Sequence, residues 1–246
     1  ANLGIYAMNG LPDINALCLS RPCRCSCRRD GTTAGALYRD LGLDGRFVAG
    51  YVGTLGMAHG LSTILEAADI VRLRPAGRDI RFLLLGDGAE KAALETAAAV
   101  MGLDNVLFLD SVPRGEVARY WSLLDLSIIH LKKNDLFKTV VPSKLFECMA
   151  MGLPILHGVA GESARIVESE GVGLVFEPEN DEALARHVLD LVSDPERRAG
   201  LSRHGVEAAR RYDRSVLAGA MLNTLVRVAD RPDLLVAVAR STTRSR

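Results

Sequence analysis

Short apolar runs of strand length alternate along this chain with longer stretches in which apolar residues recur every three or four positions, and that alternation predicts the elements. Residues 1–35 are the exception, because Gly, Pro, Cys and Arg break every period after Leu19. ALYRDLGLDG, from Ala36 to Gly45, predicts a short helix ending near Gly42 or Gly45. RFVAGYVG, from Arg46 to Gly53, predicts the first strand. It runs into the Gly-rich turn TLGMAHG, and Leu61, Leu65, Ala68 and Val71 then mark the buried face of a helix. Ile80–Leu85 predicts a second strand with Gly86, Asp87 and Gly88 at its exit, and a helix from Glu90 to Met101 follows. Val106–Leu109 predicts a third strand, and Pro113–Trp121 a helix.

The stretch from Asp125 to His157 carries the strongest unit. Apolar runs at Leu126–Leu131 and Leu153–Leu156 flank a polar loop, Lys132–Thr139, and the segment VVPSKLFECMAMG. Pro142 suits a first helical turn and Gly152 the far end, so the unit reads strand, loop, helix, strand. Further on come a helix at Glu162–Ser169, a strand near Gly173–Phe176, and three helices. The first of these carries Leu184, Val188, Leu191 and Val192, the second runs from Pro195 to about Arg211, and the third spans roughly Ser215–Ala229. Strands and helices alternating with short connections argue for an α/β fold with a parallel sheet covered on both faces. Residues 1–40 read as an irregular linker or domain edge, 41–230 as a Rossmann-like domain, and 231–246 as a tail.

This architecture sets the chemistry. Ligands of open parallel sheets bind at the carboxyl ends of the strands, where helix N-termini and glycine turns favour phosphate. Gly53, Gly56 and Gly60 do not have dinucleotide-fingerprint spacing, so they fit a phosphate cradle or merely a tight turn. His59 precedes the helix within reach of a ligand, and an ordinary turn histidine is the alternative. Lys144 adds a cation at the helix start, and Glu147, one turn on, is a carboxylate able to accept bonds from a diol. Phosphate grip and diol grip together suit a nucleotide-sugar. Glu162 stands at the same edge, where a solvent-exposed acid is equally plausible.

Composition changes this picture little. The 246 residues carry 30 basic and 30 acidic side chains, and 48% are hydrophobic, enough for a sizeable core and with no charge excess asking for nucleic acid. With no run of eighteen apolar residues and no signal-peptide pattern at the start, cytoplasmic residence is expected, with room for peripheral contact with the inner membrane. Cys148 falls inside a helix and is expected to pack as a small hydrophobe. Cys18, Cys23, Cys25 and Cys27 crowd together without paired CxxC spacing, which leaves zinc, a disulfide or an irregular basic segment open.

YVGTLGMAHGL, LLGDGAEKAALE and FKTVVPSKLFECMAMGLPIL, in that order and spacing, resemble the carboxyl-terminal, donor-binding half of a GT-B retaining glycosyltransferase of family 4, group 1. The likeness runs from about Leu41 to Val228 and leans toward the bacterial exopolysaccharide and lipopolysaccharide branch. It implies one half of a GT-B enzyme that grips a nucleoside-diphosphate sugar, UDP-linked in this branch, without an obligatory cofactor and without a metal. Family members carry two glutamates separated by seven residues. The second matches Glu147, which would hold the ribose, while the first falls on Thr139 and leaves sugar recognition to the backbone of Thr139, Val140, Val141, Pro142 and Ser143. Lys144 and Glu147 would carry catalysis. The loop that holds an Arg and a Lys in many members has Thr54 and His59 here, so Lys144, Lys138 or Lys132 would supply the charge. Gly86, Asp87 and Gly88 would lie near the base, with Leu109–Pro113, including Val112, lining its pocket and Arg114 on the rim.

The resemblance also implies a partner, an amino-terminal acceptor domain that does not fit before residue 40, so the chain reads as an isolated donor domain expected to bind weakly and to transfer nothing alone. The surface meant for that domain would then be free to self-associate. The acceptor class implied is a polysaccharide, lipopolysaccharide or lipid-linked sugar. Rival readings are half of a nucleotide-sugar epimerase, a non-catalytic nucleotide-binding or scaffolding domain, and a dehydrogenase-like or response domain.

Overall fold

A computed structural model describes residues 33–229, which form a six-stranded parallel sheet between two layers of helices. The elements in chain order are α1 (Thr33–Asp40), β1 (Phe47–Val52), α2 (Ser62–Arg72), β2 (Ile80–Leu85), α3 (Lys91–Met101), β3 (Val106–Leu109) and α4 (Val117–Trp121). They continue with β4 (Leu126–His130), α5 (Lys144–Ala150), β5 (Ile155–Gly158), α6 (Glu162–Glu170), β6 (Gly173–Val175), α7 (Asp181–Ser193), α8 (Pro195–Arg211) and α9 (Arg214–Ala229). The strand order is β3-β2-β1-β4-β5-β6, with every pairing parallel. This is the doubly wound order of Rossmann-like folds, in which the winding reverses between β1 and β4. A crevice therefore opens at the carboxyl ends of those two strands.

The strands read as unbroken apolar runs because both faces are buried. In β1, Ala49 and Tyr51 join one core with Phe82 and Leu84 of β2, whereas Val48 and Val52 join the other with Leu83 and Leu85. Helices α2, α3 and α7 supply the first core with Leu65, Leu94 and Leu184, and α5 and α8 supply the second with Leu145, Met149 and Ala208. Cys148 is buried as expected, and its thiol donates to the Ser127 hydroxyl at 3.2 Å.

Several boundaries differ from the sequence reading. Helix α1 begins at Thr33 and ends at Asp40, and on it Tyr38 is buried with its hydroxyl donating to the Arg46 carbonyl at 2.7 Å. Tyr38 thus packs into the second core. The stretch expected as one helix from Pro113 splits into a 3-10 turn, Arg114–Glu116, and the short α4. Within the loop expected at Lys132–Thr139, Asp135–Thr139 winds into a 3-10 helix capped by the Asn134 side chain, which accepts from the Leu136 amide at 2.9 Å. Helix α9 leaves Leu217, Met221, Leu222 and Leu225 exposed. The expectations for Cys18, Cys23, Cys25 and Cys27, for most of the linker and for the tail after residue 230 lie outside the described residues.

Candidate functional site

The crevice between β1 and β4 is built by three loops and the start of α5. The exits of β1 and β2 are laced together. The Gly53 amide donates to the Leu85 carbonyl at 2.9 Å, the Leu55 amide to the Asp87 carbonyl at 2.8 Å, and the Glu90 amide to the Leu55 carbonyl at 2.9 Å. Gly86 adopts φ +151, and a side chain there would run into the Gly53 carbonyl, so only glycine lets the two exits close on each other. The Asp87 carboxylate accepts from its neighbour Gly88 at 2.7 Å. Gly86, Asp87 and Gly88 are thus placed at the expected edge, but their visible work is to fix the β1 exit.

Onto that platform α5 projects Lys144. Its ammonium lies 4.0 Å from the centroid of the Tyr51 ring, and a methyl group built on Gly53 would stand 2.6 Å from Nζ. Among the described residues no carboxylate comes within ion-pairing distance of it. Burial pushes its pKa down to about 8, with the Cys148 and Glu147 side chains opposing. Here is a half-buried cation at the switch point, held against a ring face with no carboxylate partner among the described residues. The amides of Ser143 and Lys144, at the start of α5, have no acceptor among the described residues.

Tyr51 was not singled out by the sequence pattern, where it is one residue of the predicted first strand. Its hydroxyl donates to the Thr54 carbonyl at 2.8 Å, tying down the turn, and burial raises its pKa. The His59 ring stands edge-on to it, centroids 5.9 Å apart, with Nδ1 3.2 Å from the Gly56 carbonyl. Burial and then the Lys144 charge lower the His59 pKa, against the Gly56 hydrogen bond and Glu90. So Gly53, Thr54, Gly56, His59 and Lys144 do converge, around an aromatic ring that organises them.

Glu147 follows Lys144 by one turn of α5, half-buried. Burial raises its pKa while the Lys144 and Arg114 charges pull it down. Val112 is half-buried against the second core beyond β3.

Other expected residues point elsewhere. Lys138 pairs with Asp135 at 2.6 Å, and Lys132 lies 3.9 Å from Glu90, so neither stands as a ready counter-charge. The Thr139 hydroxyl donates to the Leu136 carbonyl at 3.1 Å, and the Val140 amide to the Phe137 carbonyl at 3.1 Å. Val141 is buried against the second core and Pro142 caps the first turn of α5, its carbonyl accepting from the Leu145 amide at 3.0 Å.

His130, at the end of β4, pins the neighbouring loops. The Glu179 amide donates to its Nε2 at 2.9 Å, which leaves the proton on Nδ1 to donate to the His59 carbonyl at 2.6 Å. Phe176 stacks on the ring at 5.8 Å. Burial lowers its pKa, so the neutral, two-bond form persists. Beside the crevice, the exits of β4, β5 and β6 enclose a cleft of about 270 Å³ bordered by Lys133, Phe137, Lys138, Ala160 and Pro178. Among the described residues no group of His, Cys, Asp and Glu side chains could hold a metal ion, and no helix is long and apolar enough to cross a membrane.

A parallel sheet with a lysine at its switch point is common to many folds. What decides is the sequence match of residues 38–207 to the family described as glycosyl transferases group 1. The chain belongs to the group 1 glycosyl transferases. The 2-deoxystreptamine glucosyltransferase of Streptomyces kanamyceticus is 30% identical over 157 residues, covering 62% of this chain and 38% of that protein. The alpha-D-kanosaminyltransferase of the same organism is 30% identical over 159 residues, covering 64% and 39%. The chain thus spans under two fifths of the length of these group 1 relatives. Among solved structures, Anabaena HepE in complex with UDP and glucose superimposes with a TM-score of 0.67 at 21% identity, over 80% of this chain and 52% of that one. The C-terminal domain of the group 1 protein LpcC from Francisella tularensis superimposes with a TM-score of 0.59 at 19% identity, over 72% of this chain and 92% of that domain. The expected family and the Rossmann-like, GT-B half fold are both borne out.

Proposed function

We propose that this chain is the donor-binding half of a glycosyltransferase that moves a sugar from a nucleoside-diphosphate sugar, UDP-linked, to a polysaccharide, lipopolysaccharide or lipid-linked acceptor. The observation that carries the reading is the Lys144 ammonium, without a carboxylate partner among the described residues, held between Gly53 and the Tyr51 ring at the β1–β4 crevice. A diphosphate would give that cation its missing anion, and the open amides of Ser143 and Lys144 would donate to the same oxygens. Glu147 would accept from the ribose hydroxyls. In the full reaction the bond from the anomeric carbon to the diphosphate oxygen breaks, the acceptor oxygen forms the new one, and the acceptor proton leaves with the released diphosphate or to solvent. Charge grows on the diphosphate as it departs, and a preformed cation there lowers the barrier without reorganising. The relatives' greater length supports an acceptor-binding half outside this chain. We therefore expect donor binding without turnover by the chain alone, and cytoplasmic action with peripheral membrane contact in the full enzyme.

The test is a calorimetric titration of the chain with UDP, GDP and NAD, repeated with Glu147→Ala. Binding of UDP that the substitution weakens about tenfold fits loss of a bidentate diol contact. Preference for NAD, or UDP binding indifferent to Glu147, would overturn the reading.

A further inference from the structure

The chain holds five lysines, and four of them stand beside carboxylates. Lys91 pairs with Asp110, Lys133 with Glu177 at 2.5 Å, Lys138 with Asp135 at 2.6 Å, and Lys132 lies 3.9 Å from Glu90. Hydrogen bonds to those carboxylates raise the pKa of Lys91 and Lys133. An ammonium so held keeps its proton at neutral pH and has no electron pair to share. Lys144 is held differently. Its Nζ rests 4.0 Å from the Tyr51 ring centroid with Gly53 alongside, and among the described residues no carboxylate pairs with it. Burial draws its pKa down to about 8, so that part of the population carries a free amine near neutral pH. The titratable groups that face it are Cys148 and Glu147 on its own helix, Tyr51 on β1 and His59 ahead of α2. Its neighbours Thr54 and Ser143 are exposed and Lys144 itself is half-buried, so the crevice around the amine is open to solvent.

We infer that Lys144 is a modification site, an amine that small acyl phosphates acylate in preference to the four lysines that stand beside carboxylates. The chemical class follows from the crevice. An acyl phosphate brings a reactive carbonyl joined to an anion, and the protonated form of Lys144 is a cation that no carboxylate has claimed. In the step itself, the unprotonated Nζ attacks the acyl carbon and a C–N bond forms. The C–O bond to phosphate breaks, its electron pair leaves on the phosphate, and the phosphate takes the surplus proton. The product is an uncharged amide, which has lost both the cation–π contact with Tyr51 and the charge that would hold a diphosphate. That loss of donor binding rests on the donor-binding reading above, whereas the acylation does not.

The experiment incubates the full chain with acetyl phosphate at pH values from about 7 to 10 and follows acetylation of each lysine by peptide mass spectrometry. At pH 7.5 Lys144 is expected to react about tenfold or more faster than any of the other four, with a rate that levels off above about 8.5 while theirs keep climbing. Saturating UDP should suppress the label at Lys144 and leave the others unchanged. Labelling spread over the five lysines, or a Lys144 rate that climbs with the rest to pH 10, would overturn the inference. Selective acetylation of Lys144 that UDP does not suppress would keep the modification site and remove instead the donor-binding reading of the crevice.

Discussion

The ammonium of Lys144 rests 4.0 Å from the ring centroid of Tyr51, and that ring is the surface against which a half-buried cation sits with no carboxylate partner among the described residues. Fully desolvated ammonium ions are costly, and the ring quadrupole offsets part of the cost, on the order of 1–2 kcal/mol. The residue is therefore poised between charged and neutral forms, with its pKa near 8.

Donor affinity should accordingly depend on pH. Lys144 is protonated below about 8 and loses its charge as pH rises through that value, while a bound diphosphate raises the pKa again. Sugar-nucleotide affinity is expected to be flat below pH 7 and to fall above 8 with a slope approaching about tenfold per unit. Titrating UDP-glucose between pH 6.5 and 9.5 measures it. Lys144→Met should weaken binding about tenfold or more and abolish the slope. A slope that survives in Lys144→Met assigns the titration to another group.

Tyr51 should separate into two contributions. Tyr51→Phe keeps the ring under Lys144 but removes the hydroxyl bond to the Thr54 carbonyl, so it should cost about 1 kcal/mol of stability with a minor change in UDP affinity. Tyr51→Leu removes the ring face as well, and should depress the Lys144 pKa further and weaken UDP binding several-fold. Urea unfolding and calorimetry on both variants check the split. Equal UDP binding by the two would deny the ring its role.

The lacing of the first two strand exits makes a steric prediction. Gly86 and Gly102 both have positive φ, +151 and +64, but only Gly86 faces a backbone carbonyl, that of Gly53, while nothing lies within 4 Å of a side chain at Gly102. Gly102→Ala should cost about 1 kcal/mol, the conformational penalty alone. Gly86→Ala adds a collision between two backbones and should cost about 3 kcal/mol or more, with loss of UDP binding. Denaturant melts of both decide it, and equal costs would mean that the exits are not held as described.

How far the sequence reveals this molecule depends on the kind of feature. The strands were legible because burial on both faces turns Phe47–Val52 and Ile80–Leu85 into unbroken apolar runs, which signal a covered parallel sheet. Lys144 and Glu147 were legible because Pro142 and the apolar spacing of LFECM define a helix whose start falls at the sheet edge. The pairing of Lys144 with Tyr51 was not, since it depends on the packing of α5 beside β1 and no spacing encodes that. Lys138 shows the converse. As a charge in a polar loop it suits an anion, but the 3-10 winding of Asp135–Thr139 turns it onto Asp135. His130 read as part of an apolar run, and only the arrival of His59 and Glu179 from distant loops makes it a pin.

The last prediction concerns acid stability, through His157 on β5. Its Nε2 lies 2.9 Å from the Ser163 hydroxyl, and Nδ1 is buried with no hydrogen-bond partner among the described residues. Burial first, then the neighbouring His130, drives the folded-state pKa down from the usual 6.5 to about 3. Between these values the unfolded chain binds a proton that the folded chain refuses. The stability that neutral His157 contributes is complete above about 6.5 and declines as pH falls toward 3, by up to about 1.4 kcal/mol per unit. His130, also lowered by burial, acts in the same direction. Replacing the imidazole with a group that does not titrate should flatten this part of the curve. Urea melts of wild type and His157→Gln at pH 7.5, 6 and 5 provide the measurement. The variant should be less stable at pH 7.5, having lost shape complementarity at the Ser163 contact, yet lose less stability on going to pH 5. Parallel declines in the two proteins would place the acid sensitivity elsewhere, in His130 or in the carboxylates paired with Lys133 and Lys138.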